Sequence, residues 1–570
     1  MSGSFSWVDW AVVCGLLFFT TWVGHRAAGR PSTLKEFFLG GRRLPWFAVA
    51  ASIIATEISA VTFISLPSVV ARDGGNWTYL QIGLFGSFFA RGLIAWFLVP
   101  AYYEREVFSP YDYMGAKLGE GVRRTATALF TLGGVLGQSA RVYLTAVVLE
   151  VLLADELAWC SAQIGISPLS VAVAVIVVVA MAWTLMGGIA TVVWTDAILF
   201  LLFLAGIAAA LWTVSGAVEG GLVGALETGW QEGKLKLFDF RFDFSAPYTL
   251  WAALIASTWG GVAFYGTDQL LAQRVLCCRD VRDARKAVLA SYAAMLVTVL
   301  VAIVGVGLWA YYQEHAMSEV ASGLYAQKAD RLFPIFVVEA IPTGLKGLVV
   351  AGALAAAISS LDSIVAALSQ TSLSVLRRGV ESPNDLSDSR KLVVFWSLVL
   401  GFAAVGIDVL AESYASILDL ALAMASYTGG ALLAGFLLSF LPIKTDARGY
   451  AVSSALSVLA VFAVTSHQDW GGRLGVSPVL IVQCAGAALV LYWWKTTSER
   501  SLMRAMALIF GVCGTWYLAA HGVLSPMEES GAVRVLAWPW YVPLGSTVAF
   551  VWTLLLSGST TKLTATPLKA

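Results

Sequence analysis

Charge is what this chain has least of. Asp, Glu, Lys and Arg make up 13% of its 570 residues, against 58% apolar residues, where a soluble domain carries roughly 25% charged residues. That shortage excludes a soluble fold and leaves a polytopic helical membrane protein. The formal net charge is zero, and nothing in it calls for a nucleic-acid partner; in a membrane chain the placement of the charges carries the information. Cysteine is scarce and scattered. Cys14, Cys160, Cys484 and Cys513 lie in or near apolar segments and Cys277–Cys278 in a basic loop, a spacing that supports neither a disulfide framework nor a zinc site. His25, His315, His467 and His521 fall in loops or at span ends, which excludes a histidine proton relay at depth and a serine–histidine nucleophile. Long loops are missing too. The largest, around Glu219–Pro247, is about thirty residues, room for a short surface helix but not for an appended enzyme domain. No enzyme is expected.

What recurs instead is apolar sequence. About fifteen segments are long enough to cross roughly 30 Å of hydrocarbon. They lie near 6–24, 45–71, 77–103, 121–153, 167–185, 189–215, 248–272, 285–312, 333–376, 391–410, 413–440, 448–466, 476–494, 501–521 and 538–557. The first lacks a basic leader and a small-residue cleavage site, so it is expected to be a retained helix. The loops His25–Arg43, Glu104–Arg124, Gln273–Lys286 and Arg377–Lys391 are basic, whereas Arg72–Asn76, Ala154–Gln163 and Ser215–Pro247 are poorer in Lys and Arg. The basic set faces the cytoplasm, which puts the N-terminus outside and the C-terminus inside.

One stretch gathers polar groups at bilayer depth. Gly344 to Leu376 is almost wholly apolar or small, yet Ser359-Ser360-Leu361-Asp362-Ser363 sits near its middle. On a helix Ala356, Ser359, Ser360 and Ser363 share one face, with Asp362 beside it. Hydroxyls and a carboxylate together offer oxygen ligands to a small hard cation. Serines alone are more often packing residues that bond back to their own helix. The carboxylate tips the reading, because a buried acid in a membrane is expensive and marks function.

Two spans look broken. The one at 45–71 carries Thr56, Glu57, Ser59, Thr62 and Pro67, and the one at 248–272 carries Gly260-Gly261 and Gly266. Four spans separate them, so each opens a five-helix unit. Paired interruptions in two halves are the sequence pointer to a transporter's binding site, and the breaks free carbonyls that can hold a cation.

The residues at these places carry a family likeness. EFFLGGRRLPWFAVAASIIATEISAVTF (36–63), GGIATVVWTDAI (187–198), FYGTDQLLAQRVL (264–276) and AAAISSLDS (355–363) resemble, in order, the solute:sodium symporter family. The resemblance implies an all-α leucine-transporter-like fold. Inverted repeats would occupy 41–246 and 247–441, after an N-terminal helix and loop (1–40) and before about four extra helices (442–570). It implies a sodium site formed by Ala55 and Ile58 through backbone oxygens, with Ala356 and the hydroxyls of Ser359 and Ser360. A second sodium or proton site would involve Asp196, Asp362 and Ser363, with Asp362 standing where family members usually have a hydroxyl. One sodium, or two, is therefore expected as the coupling ion.

For the solute, the pattern is most similar to sialic acid symporters. The residues this implies are Glu57, Ser59, Thr62, Trp77, Gln81, Arg141 and Phe264, with Arg141 as a fork for a carboxylate and Phe264 as a stacking ring. Arg141 could instead pair internally with Glu57 or Asp362. Arg91 and Glu150 read as structural pairs, and Asp268-Gln269 as a cap or gate. The expected activity is sodium-coupled import of a sugar or sugar acid by alternating access, across a plasma (inner) membrane. A proton-coupled carrier of a monocarboxylate or vitamin-like acid, and a solute sensor of the same fold, are the alternatives. The four last spans carry no nameable chemistry and are expected to pack around the core.

Overall fold

The computed structural model describes residues 5–28, 33–58, 60–104, 107, 109–377, 384–411, 417–442, 445–465, 478–496, 502–521 and 536–557. Described residues outside helices form turns and connections, and the one β contact among them is an isolated parallel bridge between Leu44 and Cys278. Before the first break run α1 (Trp7–Ala28), α2 (Trp46–Glu57) and α3 (Ala60–Ala71). Then come α4 (Trp77–Glu104), α5 (Glu120–Leu152), α6 (Pro168–Leu185) and α7 (Gly188–Ala217). The second half holds α8 (252–267), α9 (Gln269–Val275), α10 (Val281–Glu314), α11 (Leu345–Arg377), α12 (Asp385–Ala411) and α13 (Ile417–Phe440). The end of the chain adds α14 (Ala447–Thr465), α15 (Pro478–Thr496), α16 (Leu502–His521) and α17 (Tyr541–Leu556). The expected surface helix in the largest loop is present at Gly221–Gln231.

Among the described residues 11 helices are long and apolar enough to cross a membrane, or 12 with the bent pair of α2 and α3. That is fewer than the fifteen segments read from the sequence. The remaining three, 248–272, 476–494 and 501–521, are helical too, as α8 with α9, α15 and α16.

Local chemistry sets the boundaries. Ser167 accepts from the Ser170 amide (3.2 Å) with Pro168 in the first turn of α6, a combination favoured at helix starts. The α6–α7 join is Gly188, at φ +64°. A side chain there would strike the carbonyl of Phe37, so the kink needs glycine twice over, for conformation and for space.

Both broken helices are present, with one correction. α2 and α3 meet at 51°, and Ile58 leaves helical geometry at φ −82°, ψ 77°. In the second, the double glycine is not the break: the chain stays helical through Gly260 and Gly261, alternating π- and α-turns, and leaves the helix at Asp268 (ψ 128°). Gly261 serves close packing, since a Cβ on it would lie 2.6 Å from that of Ala90, while Gly260 faces open space. Asp268 restarts the helix as its N-cap, accepting from the Leu270 amide at 2.8 Å. The centre of the bundle is α11 packed against α6 and α7, with α2 and α9 also on α11.

Candidate functional site

Two polar sites lie inside the bundle. The first is where α2, α7, α9 and α11 converge, and its centre is a residue the sequence reading had put in a basic loop. Arg274 belongs to α9 and is fully buried, as are Cys277 and Cys278 after it. Its Nε donates to Ser52 Oγ (2.8 Å), Nη1 to the Leu270 carbonyl (2.7 Å), and Nη2 to Asp196 Oδ2 (3.0 Å) and to Ser363 Oγ. Ser52 donates to the same Asp196 oxygen at 2.5 Å, and Ser359 donates to the other. Ser363 also bonds the Ser359 carbonyl (2.5 Å) and Asp362 Oδ1 (3.1 Å). Asp196, Asp362 and Ser363 are thus brought together as the motifs implied, around a guanidinium. Asp362 Oδ2 is buried, with no hydrogen-bond partner among the described residues. Two carboxylates against one guanidinium leave the cluster one formal negative charge over.

The missed signal was helical spacing. Gln269, Gln273 and Arg274 lie on one turn among Leu270, Leu271, Ala272 and Val275, all buried, whereas the surface arginines begin at Arg279.

Next to this cluster α2 ends. The last carbonyls of a helix have no partner within it, which leaves Ala55 and Glu57 with acceptors to offer among the described residues. Ala55, Ile58, Ser359 and Ser360 are all buried, and α2 packs on α11, which carries residue 356 in its backbone. These groups suit sodium, which takes neutral oxygens without strict geometry.

The second site is a cavity of about 210 Å³ whose wall includes Glu57, Ile58, Thr62, Arg141, Phe264 and Asp268. Glu57 is already engaged: Arg91 pairs with one oxygen and Tyr265 donates to the other at 2.5 Å. Arg91 also lies 4.2 Å from the Tyr265 ring centroid and donates to Ser291 (3.0 Å), so its structural reading holds. Glu150 likewise pairs with Arg331 at 3.4 Å.

Arg141 therefore does not take Glu57 or Asp362. Among the described residues its one hydrogen bond runs from Nη1 to the Thr56 carbonyl at 3.4 Å, and its guanidinium lies 6.0 Å from the Phe264 centroid.

Trp77 and Gln81 stand apart from this wall. Trp77 Nε1 donates to the Ala302 carbonyl (3.3 Å). The Gln81 amide bonds the carbonyls of Thr78 (3.2 Å) and Tyr248 (3.1 Å) and the amide of Asp239 (3.4 Å). Trp77 thus ties to α10 and Gln81 to the loop before α8, and Tyr79 between them faces the cavity instead. Ser59 lies outside the described residues. The end of the chain does more than pack: Trp538, Pro539 and Val542 line the cavity, and Trp538 donates to Asp419 at 3.1 Å.

Comparison with known proteins gives this geometry its context. The profile of the Sodium:solute symporter family matches residues 37–456. The chain belongs to that family. It is 25% identical to the Sodium/sialic acid symporter SiaT of Proteus mirabilis over 495 residues, covering 85% of this chain and 96% of that one. It is 27% identical over 481 residues to the human Sodium-coupled monocarboxylate transporter 1, covering 83% and 75%. A solved substrate-bound, outward-open sodium-coupled sialic acid symporter superposes with a TM-score of 0.70 at 20% identity, over 98% of this chain and 100% of that one. The fold is thus the leucine-transporter-like one that the motifs implied. Membership makes the chain a multi-pass, sodium-coupled symporter of a small organic solute, in a family of transporters rather than enzymes.

Proposed function

We propose that the solute is a small carboxylic acid, a sugar acid of the sialic type in the first place, and that Arg141 binds its carboxylate. The observation that carries this is the guanidinium of Arg141 on the cavity wall, which makes a single hydrogen bond among the described residues. A buried arginine with most of its donors unspent is expensive in a membrane protein, and a planar carboxylate satisfies two of them at once. Phe264 packs the solute's apolar face, and Thr62 offers a hydroxyl.

Sodium is held by the carbonyls of Ala55, Ile58 and Ala356 with the hydroxyls of Ser359 and Ser360. Binding there fixes the broken end of α2 against α11, next to the cavity that Ile58 and Glu57 wall. The repeats 41–246 and 247–441 then rock about the loaded site, in a plasma membrane with the N-terminus outside and the C-terminus inside. One sodium crossing 100 mV supplies about 2.3 kcal/mol, and each tenfold sodium gradient about 1.4 kcal/mol. A single sodium only cancels the charge of an anionic solute, so a second cation would be needed for the potential to drive uptake.

The orphan Asp362 Oδ2 favours a second reading, in which that extra charge is a proton or another sodium beside Arg274. Uptake of sialic acid into proteoliposomes at fixed potential separates the cases. Uptake that follows the sodium gradient alone supports sodium symport. Uptake that follows pH with sodium absent would overturn it.

A further inference from the structure

Arg141 is not the only charge on the cavity wall with bonding capacity to spare. Asp268, at the break between α8 and α9, spends Oδ1 on the Leu270 amide at 2.8 Å. Among the described residues its Oδ2 has no partner, and the residue lines the same cavity as Arg141. The third charge there, Glu57, is answered by Arg91 and Tyr265. No ion pair joins Arg141 to Asp268 among the described residues. The Ser257 hydroxyl, also on the wall, is buried and has no hydrogen-bond partner among the described residues. A space of about 210 Å³ therefore presents one unmatched guanidinium, one unmatched carboxylate oxygen and one idle hydroxyl.

We propose that the solute is read at both ends: its carboxylate by Arg141, and a hydrogen-bond donor, hydroxyl or ammonium, by Asp268, which makes Asp268 a specificity-determining residue. This rests on the carboxylic-acid reading above and narrows it. A plain monocarboxylate satisfies Arg141 but leaves Asp268 desolvated and unpaired when the site closes. An unmet charged acceptor of that kind is penalised, and a site built to bond a donor rejects analogues that lack it. The expected margin is about ten- to a hundredfold in affinity, the range for one hydrogen bond to a charged group.

The test is sodium-dependent binding to the full-length purified protein by calorimetry. The solutes are sialic acid and two matched sets, butanoate and hexanoate, each plain, ω-hydroxylated and ω-aminated. In at least one set a donor-bearing member binds ten- to a hundredfold more tightly than the plain one. Asp268→Asn, which keeps the cap to Leu270, abolishes a preference for ammonium or shrinks one for hydroxyl to a few-fold. Should that variant fail to fold, the wild-type series still decides. Plain acids binding as well as their matched partners at both lengths, or a preference unchanged in Asp268→Asn, would overturn the inference and leave the carboxylic-acid reading standing. If no acid binds with sodium, or Arg141→Ala binds them all as before, it is the carboxylic-acid reading that falls.

Discussion

Arg274 and Arg141 are both buried in the helical bundle, yet Arg274 donates to Ser52, Asp196, Ser363 and the Leu270 carbonyl, while among the described residues Arg141 makes one 3.4 Å bond, to the Thr56 carbonyl. A guanidinium has five N–H donors and no acceptor, and each one buried at membrane depth needs a partner. Arg274 is matched by its own protein and so belongs to the frame, holding α9 to α2, α7 and α11. Under the proposal above, Arg141 is kept for the solute. Residue type is the same and both are buried, Arg274 completely and Arg141 but for its face on the cavity; the hydrogen bonds to described residues tell them apart.

The comparison breaks most visibly at Arg274. Arg274→Met would leave Asp196 and Asp362 facing each other unpaired, and removing one partner of a buried pair costs about 3–5 kcal/mol. The expected outcome is a large drop in the thermal-unfolding midpoint of solute-free protein, partly recovered by adding Asp196→Asn. Arg141→Met in the same assay should move stability by no more than about 1 kcal/mol, since no carboxylate loses a partner. A collapse equal to that of Arg274→Met would erase the distinction.

Solute affinity should respond in the opposite order. Arg141→Lys keeps the charge but not the planar fork, so sodium-dependent solute binding is expected to weaken about tenfold, and about a hundredfold in Arg141→Ala. Ser360→Ala removes a proposed sodium ligand without touching the solute wall. Calorimetric titration with sodium should show an affinity about tenfold weaker, with solute affinity restored at saturating sodium. The smallest effect is expected at Trp538→Phe. Loss of its bond to Asp419 should cost about 0.5–1.5 kcal/mol in stability and weaken solute binding a few-fold, which a thermal-unfolding series resolves.

Much of this architecture was legible in the sequence because membranes enforce simple rules. Long apolar runs marked the spans, and the four ordered motifs marked the family. What escaped was three-dimensional. Arg274 sits one turn before a run of surface arginines, and only the helical spacing of its apolar neighbours separates it from them. Gly260 and Gly261 read as a break because glycine permits one, whereas here Gly261 admits the side chain of Ala90. Trp77 and Gln81 lie on either side of Tyr79 and Leu80, which do reach the cavity, where the chain enters the helix through a 3₁₀ turn over Trp77–Tyr79. Trp538 arrives from far along the chain, and no local pattern announces such a contact.

The measurement that tests the central claim most directly is the unfolding midpoint of purified protein in sodium against potassium, with and without sialic acid, in the wild type and Arg141→Ala. A ligand that binds only the folded state raises the midpoint by mass action. The account expects sialic acid to raise it in sodium, to do nothing in potassium, and to lose its effect in Arg141→Ala while the sodium effect alone persists. A sialic acid shift of equal size in both salts, or one that survives in Arg141→Ala, would contradict it.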